Sequence, residues 1–432
     1  MAFDNDKLNR HRLERAKRKK EEAARKKQRK TLFVAVAVIL AVGTIILLFA
    51  TGILRFPFLP DLSNPSTKPT ETTPPPQTDP PPLTEDRVIH LVAGGDLNIT
   101  DKVIASGATE GGYNYTDVFL DVASILAAGD VSMLNFEGIL AGAPYGSSRH
   151  SAPAQLVQAL DRAGVDILQT ANSYSIADGL SSLRSSIQGI RDAGMEPAGT
   201  FTDSEEFNRN NGFILWDIQG VRVAVVAFTK GMDGMGLPAG SENCVNLLYT
   251  DYSSSYQKVD TAGITAILKD VEAEQPDVTI ALLHWCSEFN DQISATQEEI
   301  RDLMYEQGVD AIIGSHPHYV QEMAFDETSG TFIAYSLGDF LGDAERSGTN
   351  YSVLLDLQIT KYAATGETKI TGFDYTPIIT LDETDSGGQL RVLRIREAMA
   401  AYENHFVNSV SPEDYAAMQN ALERITARIN GN

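Results

Sequence analysis

Residues 278–318 read VTIALLHWCSEFNDQISATQEEIRDLMYEQGVDAIIGSHPH. Two apolar, β-branched runs, Val278–Leu283 and Ala311–Ile313, flank Ala295–Gln307, where apolar residues recur at helical spacing. Gly308 stands where a helix would stop. The pattern predicts strand, helix, strand. Each strand then runs into polar residues: His284-Trp285-Cys286-Ser287-Glu288 after the first, Gly314-Ser315-His316-Pro317-His318 after the second. Ligands of open α/β sheets bind beyond the carboxyl ends of the strands, so these two clusters mark a candidate site.

The same rhythm extends towards the N-terminus. Strands are expected at Val88–Ala93, Val131–Asn135, Ile167–Thr170 and Val221–Phe228. Helices are expected at Val118–Ala128, Ala154–Ala163, Leu180–Ala193 and Val259–Glu274. Gly129, Gly164 and Gly194, like Gly308, suit the left-handed position after a helix. Three of these strands also end in polar groups: Gly94-Gly95-Asp96-Leu97-Asn98, Asn135-Phe136-Glu137-Gly138 and Ala171-Asn172-Ser173-Tyr174, the last followed by Asp178. Towards the C-terminus, Phe332–Leu337, Tyr351–Ile359 and Lys369–Tyr375 lack intervening helices and read as antiparallel strands. The first of them runs into Ser336-Leu337-Gly338-Asp339-Phe340. Ser411-Pro412-Glu413-Asp414 opens a last helix with Pro at its first position and a capping box. Carboxylates and imidazoles gathered at one sheet edge would be costly to bury unpaired, and one or two divalent cations would offset that cost.

Charge divides the chain. Residues 1–30 carry 13 Lys/Arg against 5 Asp/Glu, which leaves 22 basic and 53 acidic residues in 31–432. A body with a net charge of −31 argues against a nucleic-acid partner, since phosphate neutralisation needs clustered Lys and Arg. Two cysteines, Cys244 and Cys286, exclude a disulfide framework and a four-cysteine zinc site. Residues 32–50, LFVAVAVILAVGTIILLFA, carry no charge and directly follow the basic run 25–30. Extended by Gly52-Ile53-Leu54, they predict a transmembrane helix over 31–54, with the head 1–30 in the cytoplasm and the rest outside. A cleaved signal peptide fits less well, because its apolar region is shorter. Ten of the 18 prolines fall in Pro57–Leu83, so 55–86 reads as an extended linker of polyproline II character. The globular domain is then 87–395, and 396–432 a helical tail.

The ordered set GGD, NFEG, AN-x-x-x-x-x-DG, HW-x-x-E, G-x-HPH and YSLG-x-F over Val88–Leu341 resembles the CapA family of capsule and poly-γ-glutamate biosynthesis proteins, relatives of calcineurin-like metallophosphoesterases. The resemblance implies a four-layer α/β/β/α sandwich with a dinuclear metal site at the sheet edge. It implies Asp96 as a ligand of one metal, with Asn98 beside it, and Glu137 near the bridging position. It assigns His284 and His316 to the second metal and His318 to the first. The ions would be Zn, Mn or Fe, one or two in number.

This chain departs from the family at the site. The family pattern A-N-N-H-A is here Ala171-Asn172-Ser173-Tyr174-Ser175, HWG has become His284-Trp285-Cys286, and GNF has become Gly338-Asp339-Phe340. Ser173 replaces a metal-binding Asn, and Tyr174 replaces a His that acts as acid or substrate clamp. Asp339 or Cys286 could restore a ligand; on an extended strand Cys286 would share a face with His284. Alternatively, Tyr174 and Asp339 carry a different reaction. Asn172, Ser173, Cys286 and Glu288 complete the site lining. Two functions are expected: an anchored external accessory of envelope-polymer synthesis or export, with altered and non-catalytic metal chemistry, or an active metal-dependent hydrolase or transferase on such a polymer. The expected partners are an anionic envelope polymer or the membrane proteins that make and export it.

Overall fold

The computed structural model describes residues 85–342, 346–384, 388–406 and 410–431. The cytoplasmic head, the transmembrane span 31–54 and nearly all of the linker lie outside the described residues. Among the described residues, no helix is long and apolar enough to cross a membrane.

Chain order gives sixteen strands and nine α-helices among the described residues. The strands are β1 (Arg87–Asn98), β2 (Ala108–Thr109), β3 (Gly112–Tyr113), β4 (Val131–Glu137), β5 (Ile167–Gln169), β6 (Glu196–Ala198), β7 (Phe213–Ile218), β8 (Val221–Thr229), β9 (Val278–His284), β10 (Ala311–Ser315), β11 (Met323–Asp326), β12 (Thr331–Ala334), β13 (Asp339–Leu341), β14 (Tyr351–Lys361), β15 (Thr368–Asp382) and β16 (Leu390–Arg394). The helices are α1 (Asp101–Ser106), α2 (Ala123–Leu126), α3 (Ala154–Ala163), α4 (Gly179–Ala193), α5 (Ser204–Asn210), α6 (Thr261–Ala273), α7 (Ala295–Glu306), α8 (Ile395–Glu403) and α9 (Pro412–Ile429).

Two sheets carry the fold. The first runs β16-β15-β14-β1-β4-β5-β6, with β13 paired to the end of β1; the second runs β11-β12-β10-β9-β8-β7. Their apolar faces meet in one core: Leu91 and Met133 come from the first sheet, Val225, Ile280 and Phe332 from the second. Alternate residues of the same strands face outward. Val92, Leu134 and Phe136 pack with Leu156 and Leu160 of α3, while Val226, Ala281 and Leu283 pack with Leu268 of α6 and Ile300 of α7. Strands apolar on both faces are what two helical coats require, and the result is the expected four-layer α/β/β/α sandwich. Met418 and Ile425 of α9 join the inter-sheet core, so the tail packs with the body.

Four aspartates tie the amino ends of the parallel strands. Asp130, Asp166, Asp277 and Asp310 each accept a backbone N–H from the neighbouring strand, at His90, Ser132, Arg222 and Thr279 respectively (2.7–3.0 Å). Each also donates its own N–H to the carbonyl of that same residue. The opposite, carboxyl edge is thereby left for function.

Several expectations change. Val118–Ala128 is helical only at α2; before it, the N–H groups of Leu120 and Val122 turn back to Asp117 and Phe119. Gly164, Gly194 and Gly308 are left-handed, but Gly129 is not: a Cβ there would stand 2.9 Å from Val92, so close packing requires the glycine. The run at Phe332–Leu337 is not purely antiparallel, because β12 lies parallel to β10 and antiparallel only to β11. The tail helix begins as expected, with Ser411 and Asp414 closing the capping box.

Candidate metal centre

Five strand ends converge. Asp96 lies past an irregularity near the end of β1, Glu137 ends β4, His284 ends β9, His316 and His318 follow β10, and Asp339 opens β13. Gly95 makes this possible. A Cβ there would lie 1.7 Å from the Gly338 carbonyl, and that approach lets the Asp96 N–H donate to the same oxygen at 2.9 Å. Asp96 and Asp339 are thereby paired across β1 and β13.

The side chains form two triads. Glu137, His284 and His316 make one, and Asp96, His318 and Asp339 the other; within each, one candidate ligand atom per residue lies within 4.8 Å of the rest. His284 Nε2 stands 3.2 Å and His316 Nδ1 3.8 Å from Glu137 Oε1. His318 Nδ1 is 2.7 Å from Asp339 Oδ1 and 3.6 Å from Asp96 Oδ2. Glu137 also reaches the second triad, with Oε2 4.0 Å from His318 Nε2. Ligands about 2.1 Å from a tetrahedral ion stand ~3.4 Å apart, so most of these separations match the edges of a coordination shell.

All six side chains are buried. Burial pushes the Asp96 carboxyl up to about 6 and Glu137 well above its ordinary range, and neighbouring carboxylates push the same way. Burial holds His284 and His316 well below 6.5. For His318 burial works in the same direction, but the bonded Asp339 carboxylate, with Glu137 and Asp96, overcomes it and raises the imidazole. The decisive feature is unsatisfied polarity: Glu137 Oε1 and both ring nitrogens of His316 have no hydrogen-bond partner among the described residues. A buried polar atom without a partner costs about 1–3 kcal/mol. Glu137 Oε1 and His316 Nδ1 face each other at 3.8 Å, and a divalent cation between them would meet donor atoms of the type it binds. The residues present therefore fit the implied ion.

A second set of groups holds the ligands in place. Asn135 donates to Asp96 Oδ1 at 2.6 Å and stands 3.3 Å from His284 Nδ1. Ser315 Oγ lies 3.3 Å from the same Nδ1 and can accept a hydrogen bond from it in the tautomer whose Nε2 accepts the Ser173 N–H. The His316 N–H donates to Asp96 Oδ2 at 2.9 Å. Asn172 donates to Phe136 O and Asn135 Oδ1 and accepts the Tyr174 N–H.

Asp96, Glu137, His284, His316 and His318 thus meet as the sequence predicts. Asp339 is buried against His318 and is among the groups that could hold an ion. The Asn98 amide nitrogen and Asp339 Oδ2 both lie within 4 Å of the point a Cβ on Gly342 would occupy. Ser173 is buried with its N–H and Oγ 3.2 and 3.1 Å from His284 Nε2. Cys286 does not share a face with His284: β9 ends at His284, Cys286 has a φ of +69°, and its thiol packs beside the outer helical core. Both cysteines are free. Glu288 is exposed at the rim, within ligand range of His316 and His318. Tyr174 lies half-buried at the mouth, stacked on His150. Sequence reasoning missed Asn135 and Ser315 as supports, although both sit in the quoted strand-end motifs. It missed His150 and Lys230 altogether.

Paired sheets that bring two His–carboxylate triads to one edge define a four-layer α/β protein with a cluster compatible with divalent cations. The chain belongs to the bacterial capsule synthesis protein family PGA_cap, whose model matches residues 90–344. It is 28% identical over 209 residues to the capsule biosynthesis protein CapA of Bacillus anthracis, covering 48% of each chain. It is 22% identical over 218 residues to the PGA biosynthesis protein CapA of Bacillus subtilis strain 168, covering 50% of this chain and 53% of that one. The chain spans about half the length of these curated relatives. Among solved structures it is similar to the calcineurin-like phosphoesterase YfkN of Bacillus subtilis, with 17% identity, coverage of 79% of this chain and 99% of that chain, and a TM-score of 0.41.

Proposed function

We propose that this chain is an anchored, external component of capsule or poly-γ-glutamate synthesis or export, and that its sheet-edge cluster binds one or two divalent cations. The observation that carries the cation site is the orphaned set, Glu137 Oε1 and both nitrogens of His316, buried in the first triad. Asp339 supports a complete ligand set despite the altered Asn-His motif, because it supplies a carboxylate at 2.7 Å from His318. A cation held there would neutralise and polarise an oxyanion group of the polymer. The chain's own residues do the rest: Asn135 orients Asp96, and Ser315 Oγ lies where it can accept a hydrogen bond from His284 Nδ1. The anchor is supported by the apolar stretch 32–50 behind its basic run, and the stand-off by the proline-rich linker. The partners on this reading are an anionic envelope polymer or its membrane-bound synthesis and export proteins.

Metal analysis of the purified full-length protein tests the cation site. One to two equivalents of Zn, Mn or Fe, reduced in Asp96→Ala and His316→Ala, are expected; none in the wild type overturns the reading. A second reading, an active hydrolase or transferase, is favoured by the polar groups at the mouth of the site. Metal-dependent turnover of a generic phosphodiester, lost in Tyr174→Phe, would establish it over the accessory role.

A further inference from the structure

The tail helix α9 reaches the metal centre through one side chain. α9 lies outside the residues that match the family, 90–344, and buries Met418, Ala421, Ile425 and Ile429 in the inter-sheet core. Arg428 stands in its last turn, with 16% of its side chain exposed. The guanidinium lies over the Tyr319 ring, 4.8 Å from the centroid, and Nη2 donates to Asp291 Oδ2 at 3.3 Å. Nη1 is buried with no hydrogen-bond partner among the described residues. A buried donor left unmet is destabilising, so Arg428 is no simple stabiliser of the tail.

Both contacts lead to His318. Tyr319 is its neighbour in sequence, and Asp291 lies two residues past Phe289 in the segment between β9 and α7. The Phe289 ring stacks on His318, with centroids 5.0 Å apart and planes 28° from parallel. It also meets Tyr319 edge-on at 6.4 Å, and the Arg346 guanidinium lies 3.8 Å from its centroid. Phe289 has a φ of +54° and His318 one of +61°, conformations that persist only where the surroundings fix them. The Phe289 N–H donates to Pro317 O at 3.0 Å, and the Asn290 carbonyl accepts from Gln321 at 2.9 Å. Arg428 adds a further tie one residue on, at Asp291.

On its other side the His318 ring is held by Asp339, 2.7 Å from Nδ1. A ring fixed between Phe289 and Asp339 keeps one orientation, with Nε2 4.0 Å from Glu137 Oε2. A ligand locked in place beforehand loses less freedom on binding, and so binds more tightly. We propose that Arg428 is a positioning residue: from α9 it holds Phe289 over His318, and so raises the affinity of the Asp96–His318–Asp339 triad for its ion. This role rests on the cation reading above for the ion, and on the contacts alone for the hold on Phe289.

The test uses full-length, chelator-treated protein titrated with Mn(II) by calorimetry. The variants are Arg428→Met, Arg428→Lys and, as a charge control at an exposed position of α9, Arg424→Met. Arg428→Met should bind Mn(II) roughly threefold to tenfold more weakly, the range expected of aromatic and cation–π contacts. Removing a positive charge would by itself favour a cation, so a loss of affinity reports the contacts. Arg428→Lys keeps the charge beside Asp291 and should recover part of the loss, and Arg424→Met should match the wild type. Asp291→Asn removes the same tie from an exposed position and should act alike, which serves if Arg428→Met does not fold. In a His318→Ala background Arg428→Met should change nothing, because the ring it positions is gone. Hydrogen exchange of the metal-free protein, read by mass spectrometry, should quicken at 288–292 in Arg428→Met and stay as in the wild type in Arg424→Met. Mn(II) affinity that survives Arg428→Met, an equal loss with and without His318, or unaltered exchange at 288–292 overturns the role. Wild-type protein that binds no Mn(II) overturns the cation reading instead, and the exchange measurement then decides the hold on Phe289 by itself.

Discussion

Replacing His316 by leucine should stabilise the metal-free protein and remove its response to metal. His316 is buried with both ring nitrogens unsatisfied. Each missing hydrogen bond costs about 1–3 kcal/mol, and leucine has a similar volume without the polar atoms. A net gain of about 2 kcal/mol is expected once imperfect packing is subtracted. The described body holds about 340 residues. At ~2.1 cal/mol/K per residue its unfolding entropy is ~0.7 kcal/mol/K, so 2 kcal/mol raises Tm by about 3 °C. In the wild type, a cation at a hundred times its Kd adds about 2.7 kcal/mol, or about 4 °C for each site filled. The assay is scanning calorimetry of chelator-treated protein with and without Mn(II). His316→Leu should melt above metal-free wild type and respond less to Mn(II), by the increment of the lost site. A metal-free variant several degrees less stable than metal-free wild type would refute the claim that polarity is buried there at a cost. An undiminished Mn(II) shift would refute His316 as a ligand.

Gly95→Ala should unfold the protein or abolish metal binding, because its Cβ would stand 1.7 Å from the Gly338 carbonyl; soluble expression and circular dichroism decide this. Ser173→Asn should raise metal occupancy, since it brings a carbonyl ligand to a position that touches His284 Nε2; unchanged occupancy by elemental analysis would count against that placement. The Asp310 carboxyl is pushed up to about 6 by burial. The folded state thus keeps a proton the unfolded chain has lost, so this contribution is present below about pH 4 and lost as pH rises through about 6, by at most ~3 kcal/mol. Asp310→Asn should show a smaller fall in urea midpoint than wild type over that window; an identical profile would exclude the effect. Protease added to intact cells should remove the body and spare residues 1–30, and a protected body would end the anchoring proposal.

The α/β rhythm was legible because it rests on periodicity. Strands β4, β8, β9 and β10 are apolar on both faces, and Ala154–Ala163 begins and ends where its pattern and Gly164 place it. The cluster was legible because His and carboxylate side chains at strand ends are unusual among apolar runs. What escaped depends on long-range pairing. Strand β13 is three residues long and exists through the approach of Gly338 to Gly95, which no local pattern records. His150 reaches the site because its carbonyl pairs with Ile139, and Lys230 because β8 ends beside His284. The Cys286 argument failed because period-2 alternation holds only while the backbone stays extended.

That failure reflects how the site is built. Left-handed φ values at non-glycine residues gather around it: His150, Asp233, Cys286, Phe289, His316 and His318. Such conformations cost about 1–3 kcal/mol each and persist only where the surroundings fix them. At His316 the fixing contact is visible, since its N–H is held by Asp96 Oδ2. His316 and His318 are two residues apart, and an extended strand would point both rings the same way. The turned backbone instead sends His316 towards Glu137 and His318 towards Asp339. A single short segment thereby serves both triads, and the Asp96 carboxylate that belongs to one triad holds the backbone that supplies the other. Loss of Asp96 should therefore weaken both halves of the cluster together, whereas loss of His284 should spare the Asp96–His318–Asp339 half.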